Sequence, residues 1–277
     1  MQFVKANYHT HTTRCHHAKG TEREYIEMAI KAGYKTLGFA DHCPYFFDGD
    51  YYSHFRMSVS DAEEYVSTLS KLRDEYKSQI DIKIGFAAEY YPKYFEKLRS
   101  LCREIGIEYL LLGQHYTANE TDGVSSTSSS NDEGTFNIYV EQVCEAISTG
   151  AFSYVAHPDV INLGGGSVIS NILGAKPRRT KEQSELLYHG LCKICRAAKD
   201  IGIPLEINLL GLHENRFYPT EELFMAISKV GAMALLGCDA HSPNGLIRNQ
   251  AEETALNKAK KYGIKLSDGT DLTLRKI

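Results

Sequence analysis

Residues 36–44, Thr-Leu-Gly-Phe-Ala-Asp-His-Cys-Pro, contain the pattern that decides the fold. The short apolar run Thr36–Ala40 is typical of a buried β-strand, and it is followed at once by Asp41 and His42. Similar apolar runs recur along the chain, and stretches with helical periodicity lie between them. Strands that alternate with helices in this way predict a parallel sheet.

Seven strands and seven helices are expected from these periodicities. The strands are predicted at Phe3–Tyr8, Thr36–Ala40, Ile82–Ala88, Tyr109–Gly113, Tyr154–Ala156, Pro204–Ile207 and Ala232–Gly237. The helices are predicted over 21–32, 60–78, 94–105, 136–148, 180–201, 220–230 and 251–262. Thr21-Glu-Arg-Glu24 and Ser60-Asp-Ala-Glu63 have the form of capping boxes at the first two helix starts. About seven βα units predict either a barrel or an open doubly wound sheet, within a single domain over residues 1–277.

The bulk composition excludes several classes of protein. With 43% hydrophobic and 24% charged residues among 277, the chain has an ordinary globular composition that can form one large core. A net charge of -4 argues against a broad nucleic-acid-binding face. No long apolar run predicts a membrane span or a signal peptide, so a cytoplasmic protein is expected. Seven irregularly spaced cysteines do not indicate a disulfide framework.

Every predicted strand ends in side chains that can bind a metal ion or a proton. In chain order these are His9-Thr-His11, Asp41-His42, Glu89, His115, His157, Glu206-Ile-Asn208 and Asp239-Ala-His241. Each of them alone has an ordinary explanation, such as a helix cap or a loop residue. In a β/α barrel, however, the carboxyl ends of all strands meet at one rim, where active sites are built. Seven coincidences are less plausible than one shared cause, so the pattern predicts a metal site.

The kinds of donor indicate which ions would bind there. His9 and His11 are two residues apart in an extended segment and therefore point the same way. Glu89 would be buried after an apolar strand, and a cation beside it would remove the free-energy cost of burying its charge. Imidazoles and carboxylates without a thiolate set favour Zn, Mn or Fe in an open catalytic site. Cys15 and Cys43 lie near these ligands but are expected to pack as small apolar residues. The number of donors predicts two to three divalent ions.

Two polar segments interrupt the alternation of strands and helices. Thr117–Thr135 is rich in Ser, Thr and Asn and is expected to be a mobile loop or lid over one end of the barrel. Residues 161–179 form a second insertion, in which Gly164-Gly-Gly166 is interpreted as a turn rather than a phosphate-binding loop.

At these positions the chain resembles the PHP (polymerase and histidinol phosphatase) superfamily. The resemblance rests on His9-Thr-His11, His17, Gly38-Phe-Ala-Asp-His-Cys-Pro44, Glu89, Gly113-Gln-His115, His157-Pro158 and Asp239-Ala-His241, which occur in the family's order across nearly the whole chain. The length, the Phe-Ala-Asp-His-Cys-Pro run and the segment from Glu206 to Pro219 further resemble the histidinol-phosphate phosphatase branch.

The resemblance implies a distorted, TIM-like (β/α)7 barrel with a trinuclear metal centre. The first ion would be held by His9, His11, Glu89 and Asp239, the second by Glu89, His115 and His157, and the third by His17, His42 and His241. Glu89, Asp239 and His241 are the residues expected to carry catalysis. Asp41 and Glu206 are expected behind the ligands, because a metal-bound His usually donates its other N–H to a carboxylate.

The phosphate-binding residues are less clearly marked in the sequence. In the phosphatase branch an Arg usually follows the Gly-Leu pair, whereas this chain has His213 there. Arg216, Arg179 and protonated His213 are therefore the candidate substrate ligands, with Arg14 as a further guanidinium near the rim.

The resulting hypothesis is a metal-dependent phosphomonoesterase whose substrate, a small phosphorylated metabolite, is L-histidinol phosphate, an intermediate of histidine biosynthesis. A hydroxide that bridges two ions would attack phosphorus. Three alternatives remain open: a PHP phosphoesterase with a nucleotide, sugar phosphate or cyclic phosphodiester as substrate, an amidohydrolase, and a PHP module without catalysis.

Overall fold

In the computed structural model, which describes residues 3–164 and 179–277, one parallel sheet carries helices along its outer side. Its eight strands follow one another in chain order, so each βα unit places the next strand beside the last. The strands are β1 (Ala6–Asn7), β2 (Thr36–His42), β3 (Asp81–Ala88), β4 (Tyr109–Leu112), β5 (Phe152–Val155), β6 (Leu205–Asn208), β7 (Ala234–Gly237) and β8 (Leu266–Ser267).

The two ends of this sheet meet and close it into a barrel. Just beyond β1, the backbone N–H of His11 donates to the carbonyl of Ala240 at 2.9 Å, and Ala240 N–H donates to the carbonyl of His9 at 3.1 Å. At the start of β1, the backbone N–H groups of Lys5 and Ala6 donate to the carbonyl of Asp268, which directly follows β8. The predicted TIM-like fold is thus confirmed. The sheet has one more strand than predicted, because the two-residue β8 has no apolar run to reveal it.

The helices lie between consecutive strands and cover the outer face of the sheet. They are α1 (Glu22–Ala32), α2 (Ala62–Tyr76), α3 (Pro92–Ile105), α4 (Glu133–Ser148), α5 (Lys181–Ile201), α6 (Leu209–His213), α7 (Glu221–Val230) and α8 (Asn249–Tyr262). The capping box of Thr21 and Glu24 is confirmed. The one predicted at Ser60 is wrong, because a 3-10 turn at Val59–Asp61 comes first and α2 then begins without a side-chain cap. Among the described residues, no helix is both long and apolar enough to cross a membrane.

Side chains fill the interior of the barrel. Gly38 and Gly85 have no side chain, and a Cβ would overlap the hydroxyl of Tyr109 at Gly38 and its ring at Gly85. Tyr109 crosses the interior and donates its hydroxyl to the carbonyl of Tyr8 at 2.8 Å. Leu272 from the C-terminal tail also packs against this inner cluster. The packed interior is typical of this barrel class, in which the strand ends carry the function.

The first of the two polar segments is a folded turn rather than an open lid. Ser126 N–H donates to the carbonyl of His115 at 2.7 Å, and the side chain of Asn131 donates to the carbonyl of Ser126 at 2.8 Å. Glu120, within the same loop, is buried. In the second segment, residues 165–178 lie outside the described residues, and so does most of the glycine run predicted to form a turn.

The α7–α8 contact supports a prediction about stability. Glu221 pairs with Lys258 at 2.7 Å and Lys261 at 2.6 Å, and these hydrogen bonds lower its pKa from 4.5 to about 2. A carboxylate with a lowered pKa stabilises the fold above pH 4.5, and this stabilisation is lost as the pH falls toward 2. We expect Glu221→Gln to lower the free energy of unfolding at pH 7, because it removes the charge that pairs with the two lysines. The loss should be only about 1 kcal/mol, because these ion pairs are partly exposed and are screened by water.

Urea unfolding at pH 7 and at pH 3 measures this effect. The difference between wild type and Glu221→Gln should shrink at the lower pH. Glu253→Gln, at an exposed position of α8, is the matched control and should change neither value. An equal loss at both pH values would show that charge pairing is not the cause.

Candidate metal centre

A cleft of about 280 Å³ opens at the carboxyl ends of the strands, where the sequence predicted a site. It is lined by His11, His17, His42, His115, His157, Leu210, Glu214, Arg216, Tyr218, Asp239 and His241. His9 lies directly beneath it and is buried. Eight of the nine predicted ligands are therefore gathered in one place, although they come from five different strand ends and the loop after β1.

Within the cleft the donor atoms form groups of the size that a metal ion needs. One group contains His9, His157 and Asp239, and another contains His11, His42 and His241. In each group the ligand atoms lie within 4.8 Å of one another. These groups differ from the ligand sets that the family resemblance implies. In those sets His157 binds the same ion as His115, and His42 and His241 bind the same ion as His17.

His17 and His115 stand beside the two groups. His17 lies near His241 and Cys15, and the His115 ring centroid is 4.9 Å from that of His157. The adjacent His16 points to the surface and contacts the hydroxyl of Tyr52, in keeping with the predicted choice of His17. Cys15 is fully buried, and burial raises the pKa of its thiol to about 12. It therefore behaves as a packed apolar residue at neutral pH.

Two of the clustered residues have backbone conformations that L-residues rarely adopt. Asp239 has φ 48° and lies two residues after the end of β7. His157 has φ 26° and lies two residues after the end of β5. A non-glycine residue in this region costs about 1–3 kcal/mol, and such strain is concentrated at functional sites. Here it redirects the chain at the strand ends, and both side chains join the group that contains His9.

Carboxylates fix the orientation of His9 and His11 from behind. His9 Nδ1 lies 2.9 Å from Glu206 Oε1, and His11 Nδ1 lies 3.3 Å from Asp41 Oδ1. An ionised carboxylate only accepts hydrogen bonds, so each Nδ1 carries the proton. The Nε2 atoms then face Asp239 Oδ1 at 3.4 and 3.2 Å. A lone pair opposite a carboxylate oxygen is repulsive unless a cation lies between them.

His17 and His241 present the same situation, with backbone carbonyls as the nearest acceptors of their Nδ1 protons. His17 Nδ1 lies 2.7 Å from the carbonyl of Cys15, and His241 Nδ1 lies 3.1 Å from the carbonyl of Asp239. Each Nδ1 must donate to its carbonyl, which leaves a lone pair on each Nε2 in the neutral ring. These two Nε2 atoms are only 3.1 Å apart. Two facing lone pairs at this distance fit a shared cation.

Protonation preferences support the same interpretation. Burial lowers the pKa of His42, His115 and His241 well below 6.5, and that of His157 to about 4, so these rings are neutral at pH 7 and able to bind a metal ion. Burial also opposes the charged form of His11, but Asp239 and Asp41 outweigh it and raise its pKa to about 9. Without an ion, a proton on His11 therefore takes the place of a cation. The residues present fit divalent metal ions.

Glu89 stands apart from both groups. Its Oε2 accepts a hydrogen bond from Arg56 Nη2 at 2.6 Å and another from the hydroxyl of Tyr91, and its Oε1 accepts from the backbone N–H of His115 at 2.8 Å. The cation expected beside this buried carboxylate is thus present as a guanidinium. That Glu89 is a shared metal ligand stays a prediction.

Only one of the three candidate substrate residues lines the cleft. Arg216 lies at its open side, next to Glu214 and Tyr218. Arg179 instead donates to the carbonyl of Leu163 at 3.0 Å, and His213 is exposed at the end of the short helix α6. The sequence placed both in the right loops, but local hydrogen bonding and helix geometry direct them away from the cleft. Arg14 is paired with Glu22 and Glu64 on the surface side.

Some residues that build the site were not marked in the sequence. A Cβ at Gly237 would overlap the carboxylate of Glu206, so only glycine there lets Glu206 reach His9. Arg56 and Glu120 are remote from each other in sequence and belong to no motif, so no pattern announces their pairing at 2.8 Å. The glycine at the end of β7, Gly237, is the one sequence signal that could have indicated the close approach of Glu206.

Comparisons with known proteins agree with the family resemblance seen in the sequence. Residues 7–209 match the family model described as PHP domain. A Deinococcus radiodurans protein described as a probable histidinol-phosphatase is 26% identical over 244 residues, 85% of each chain. The histidinol-phosphatase of Bacillus subtilis is 22% identical over 257 residues, 86% of this chain and 93% of that one. The crystal structure of histidinol phosphate phosphatase from Lactococcus lactis, complexed with zinc, L-histidinol and phosphate, has a TM-score of 0.70 at 18% identity and covers 95% of both chains. At this identity the structural likeness shows a shared fold.

Proposed function

The chain belongs to the PHP domain family, and on that premise we propose that it is a metal-dependent phosphomonoesterase that hydrolyses L-histidinol phosphate to L-histidinol and phosphate. The observation that carries this proposal is the convergence of imidazole lone pairs and the Asp239 carboxylate on one cleft that has an arginine at its open side. The curated relatives named above support the substrate.

We propose that two to three ions of Zn, Mn or Fe are held by the two groups around Asp239 and His11, with His17 and His115 completing them. Asp41 and Glu206 hold the rings of His11 and His9 in the orientation that ligation needs. When bound, such ions polarise the phosphoryl group and lower the pKa of a water molecule enough for it to act as nucleophile near neutral pH.

Arg216 is suited to bind the phosphate. Its Nε and Nη2 contact Glu214 at 2.8 and 2.7 Å, and its Nη1 donates to the hydroxyl of Tyr218 at 2.9 Å. A guanidinium has five N–H groups, so two of them remain for an anion in the cleft. Glu214 and Tyr218 also set the plane of the guanidinium, which favours two-point recognition of phosphate.

Glu214 provides a means to distinguish histidinol phosphate from other phosphate esters. Its carboxylate lines the cleft beside Arg216, and the substrate carries an ammonium group close to its phosphate. We expect Glu214→Gln to raise KM for histidinol phosphate about tenfold, equivalent to about 1.4 kcal/mol, because a charge-assisted hydrogen bond is lost. Steady-state kinetics measure this change.

The control for this prediction is an aryl phosphate, which has no ammonium group. Its KM should not rise in the Glu214→Gln variant, because Arg216 keeps its positive charge. An equal rise for both substrates would indicate that Glu214 acts only by holding Arg216.

Metal analysis combined with phosphate release tests the proposed function. Purified protein is assayed with histidinol phosphate, an aryl phosphate, a nucleotide, a sugar phosphate and a cyclic phosphodiester, before and after chelation. We expect bound divalent ions, the fastest turnover with histidinol phosphate, and loss of activity on chelation that added metal restores.

Each alternative has its own outcome in this panel. Turnover of histidinol phosphate no faster than that of the aryl phosphate would remove the substrate assignment and keep the phosphatase. Amide hydrolysis without phosphatase activity would favour an amidohydrolase. A metal-loaded protein that cleaves none of the phosphoesters would indicate a module without catalysis.

A further inference from the structure

Arg56 is a buried arginine directly behind the metal centre. Its side chain is 2% exposed. Arginine is almost never buried without partners, because removing its charge from water is expensive. Arg56 satisfies this requirement with two carboxylates: Nη2 contacts Glu89 Oε2 at 2.6 Å, and Nε donates to Glu120 Oε2 at 2.8 Å.

These contacts join three segments of the rim. Arg56 belongs to the connection between β2 and α2, Glu89 follows β3, and Glu120 lies in the loop after β4. Nη1 also donates to the carbonyl of Cys43, the residue that follows β2, at 3.0 Å. The centroid of the Phe55 ring lies 4.3 Å from the guanidinium carbon, so the ring covers the group. The guanidinium is thus held from several sides.

Glu89 transmits this constraint to the cleft. While its Oε2 faces Arg56, its Oε1 accepts the backbone N–H of His115 at 2.8 Å. The carbonyl of His115 in turn accepts from Ser126 N–H at 2.7 Å. Both backbone groups of His115 are therefore fixed, and its imidazole lines the cleft beside His157.

We propose that Arg56 is a positioning residue that fixes the Glu89 carboxylate and, through it, directs the His115 imidazole toward the cations of the cleft. The inference rests on the proposed function, because it takes His115 to be a metal ligand. The charges of this cluster also support the proposal. One guanidinium and two carboxylates leave a net negative charge beside the cleft, which favours the binding of cations there.

A second Arg–Glu–amide arrangement at the opposite end of the barrel offers a matched control. Arg73 Nη1 contacts Glu108 Oε2 at 2.9 Å, and the same oxygen accepts the backbone N–H of Ile84 at 2.9 Å. Glu108 precedes β4, whereas His115 follows it, so this pair supports the sheet without approaching the cleft. Removing it tests whether any loss of an Arg–Glu pair would produce the same changes.

The experiment uses the full chain loaded with Co²⁺, whose visible absorption reports the geometry of its ligands. Wild type, Arg56→Met, Arg56→Lys and Arg73→Met are compared by Co²⁺ stoichiometry, visible spectrum, and kcat and KM for histidinol phosphate. For Arg56→Met we expect altered visible bands and a kcat lower by about 10–100-fold, the usual effect of losing a residue that orients a ligand.

The other two variants should both lie closer to wild type than Arg56→Met does. Arg56→Lys should recover part of the spectrum and of kcat, because one ammonium retains the charge but cannot span both carboxylates as a planar fork does. Arg73→Met should keep the wild-type spectrum and kcat.

A wild-type spectrum and kcat in folded Arg56→Met would overturn the inference, and so would equal changes in Arg73→Met. If Arg56→Met does not fold, Arg56→Lys decides the question: an unchanged spectrum overturns the inference, and a shifted one supports it. The proposed function is judged separately on the wild type. Wild-type protein that binds Co²⁺ but does not hydrolyse histidinol phosphate loses the substrate assignment, while the spectra still test Arg56.

Discussion

Asp239→Asn should lower the rate of phosphate release by at least about a thousandfold and remove most of the bound metal. Asp239 Oδ1 faces the Nε2 atoms of His9 and His11 at 3.4 and 3.2 Å, so its charge lies where an ion would be shared. Losing a residue that only supports a ligand costs about 10–100-fold, and the loss of a central ligand should exceed that. Burial would raise the pKa of Asp239, but His9, His11 and His241 hold it well below its ordinary value. The carboxylate is therefore charged at all working pH values.

Metal analysis and phosphate release measure this prediction. Asp200→Asn, an exposed carboxylate of α5, is the control and should behave as wild type. Circular dichroism establishes that both variants are folded. An Asp239→Asn protein with a full complement of metal and normal turnover would refute the assignment of the cleft as the metal centre.

Glu89→Gln is expected to have the second largest effect, with kcat lower by at least about a hundredfold. The substitution removes the charge that faces Arg56 and weakens the acceptor of the His115 amide. Breaking one partner of a buried ion pair costs about 3–5 kcal/mol, so the free energy of unfolding should fall by about 3 kcal/mol as well. Urea unfolding and assays at saturating substrate measure the two effects.

Glu120→Gln separates the contribution of the ion pair from that of His115. Glu120 also faces Arg56, at 2.8 Å, but among its described contacts none is with His115. We expect a similar loss of stability and a much smaller loss of kcat. If both variants lost activity equally, the link from Glu89 to His115 would have no special role.

The sequence predicted the fold well because its strongest signals are periodic and local. Apolar runs ended by His, Asp or Glu mark the strands and, through barrel geometry, the rim. The elements that were not predicted lack such a signal. Strand β8, for example, consists of only two half-buried residues. The start of α2 was missed because a 3-10 turn replaced the expected cap at Ser60.

The grouping of ligands depends on distances that a sequence does not contain. His157 joins His9 and Asp239 because His157 and Asp239 turn into left-handed conformations after their strands. The partner of Glu89 was unforeseeable for a related reason, since Arg56 reaches it from a loop that follows another strand. Arg216, Arg179 and His213 looked equivalent in sequence, and only Arg216 points into the cleft.

The pairing of Thr10 with Ala240, which closes the barrel, determines when during biosynthesis the centre can form. His9 and His11 leave the ribosome well before Asp239 and His241, because a long stretch of chain separates the two pairs. Contacts between such distant segments form late in folding. A nascent or prematurely terminated chain therefore exposes histidines without the carboxylate that completes their group. We therefore expect tight metal binding to require the part of the chain that carries Asp239 and His241, because these two residues complete the groups of ligand atoms.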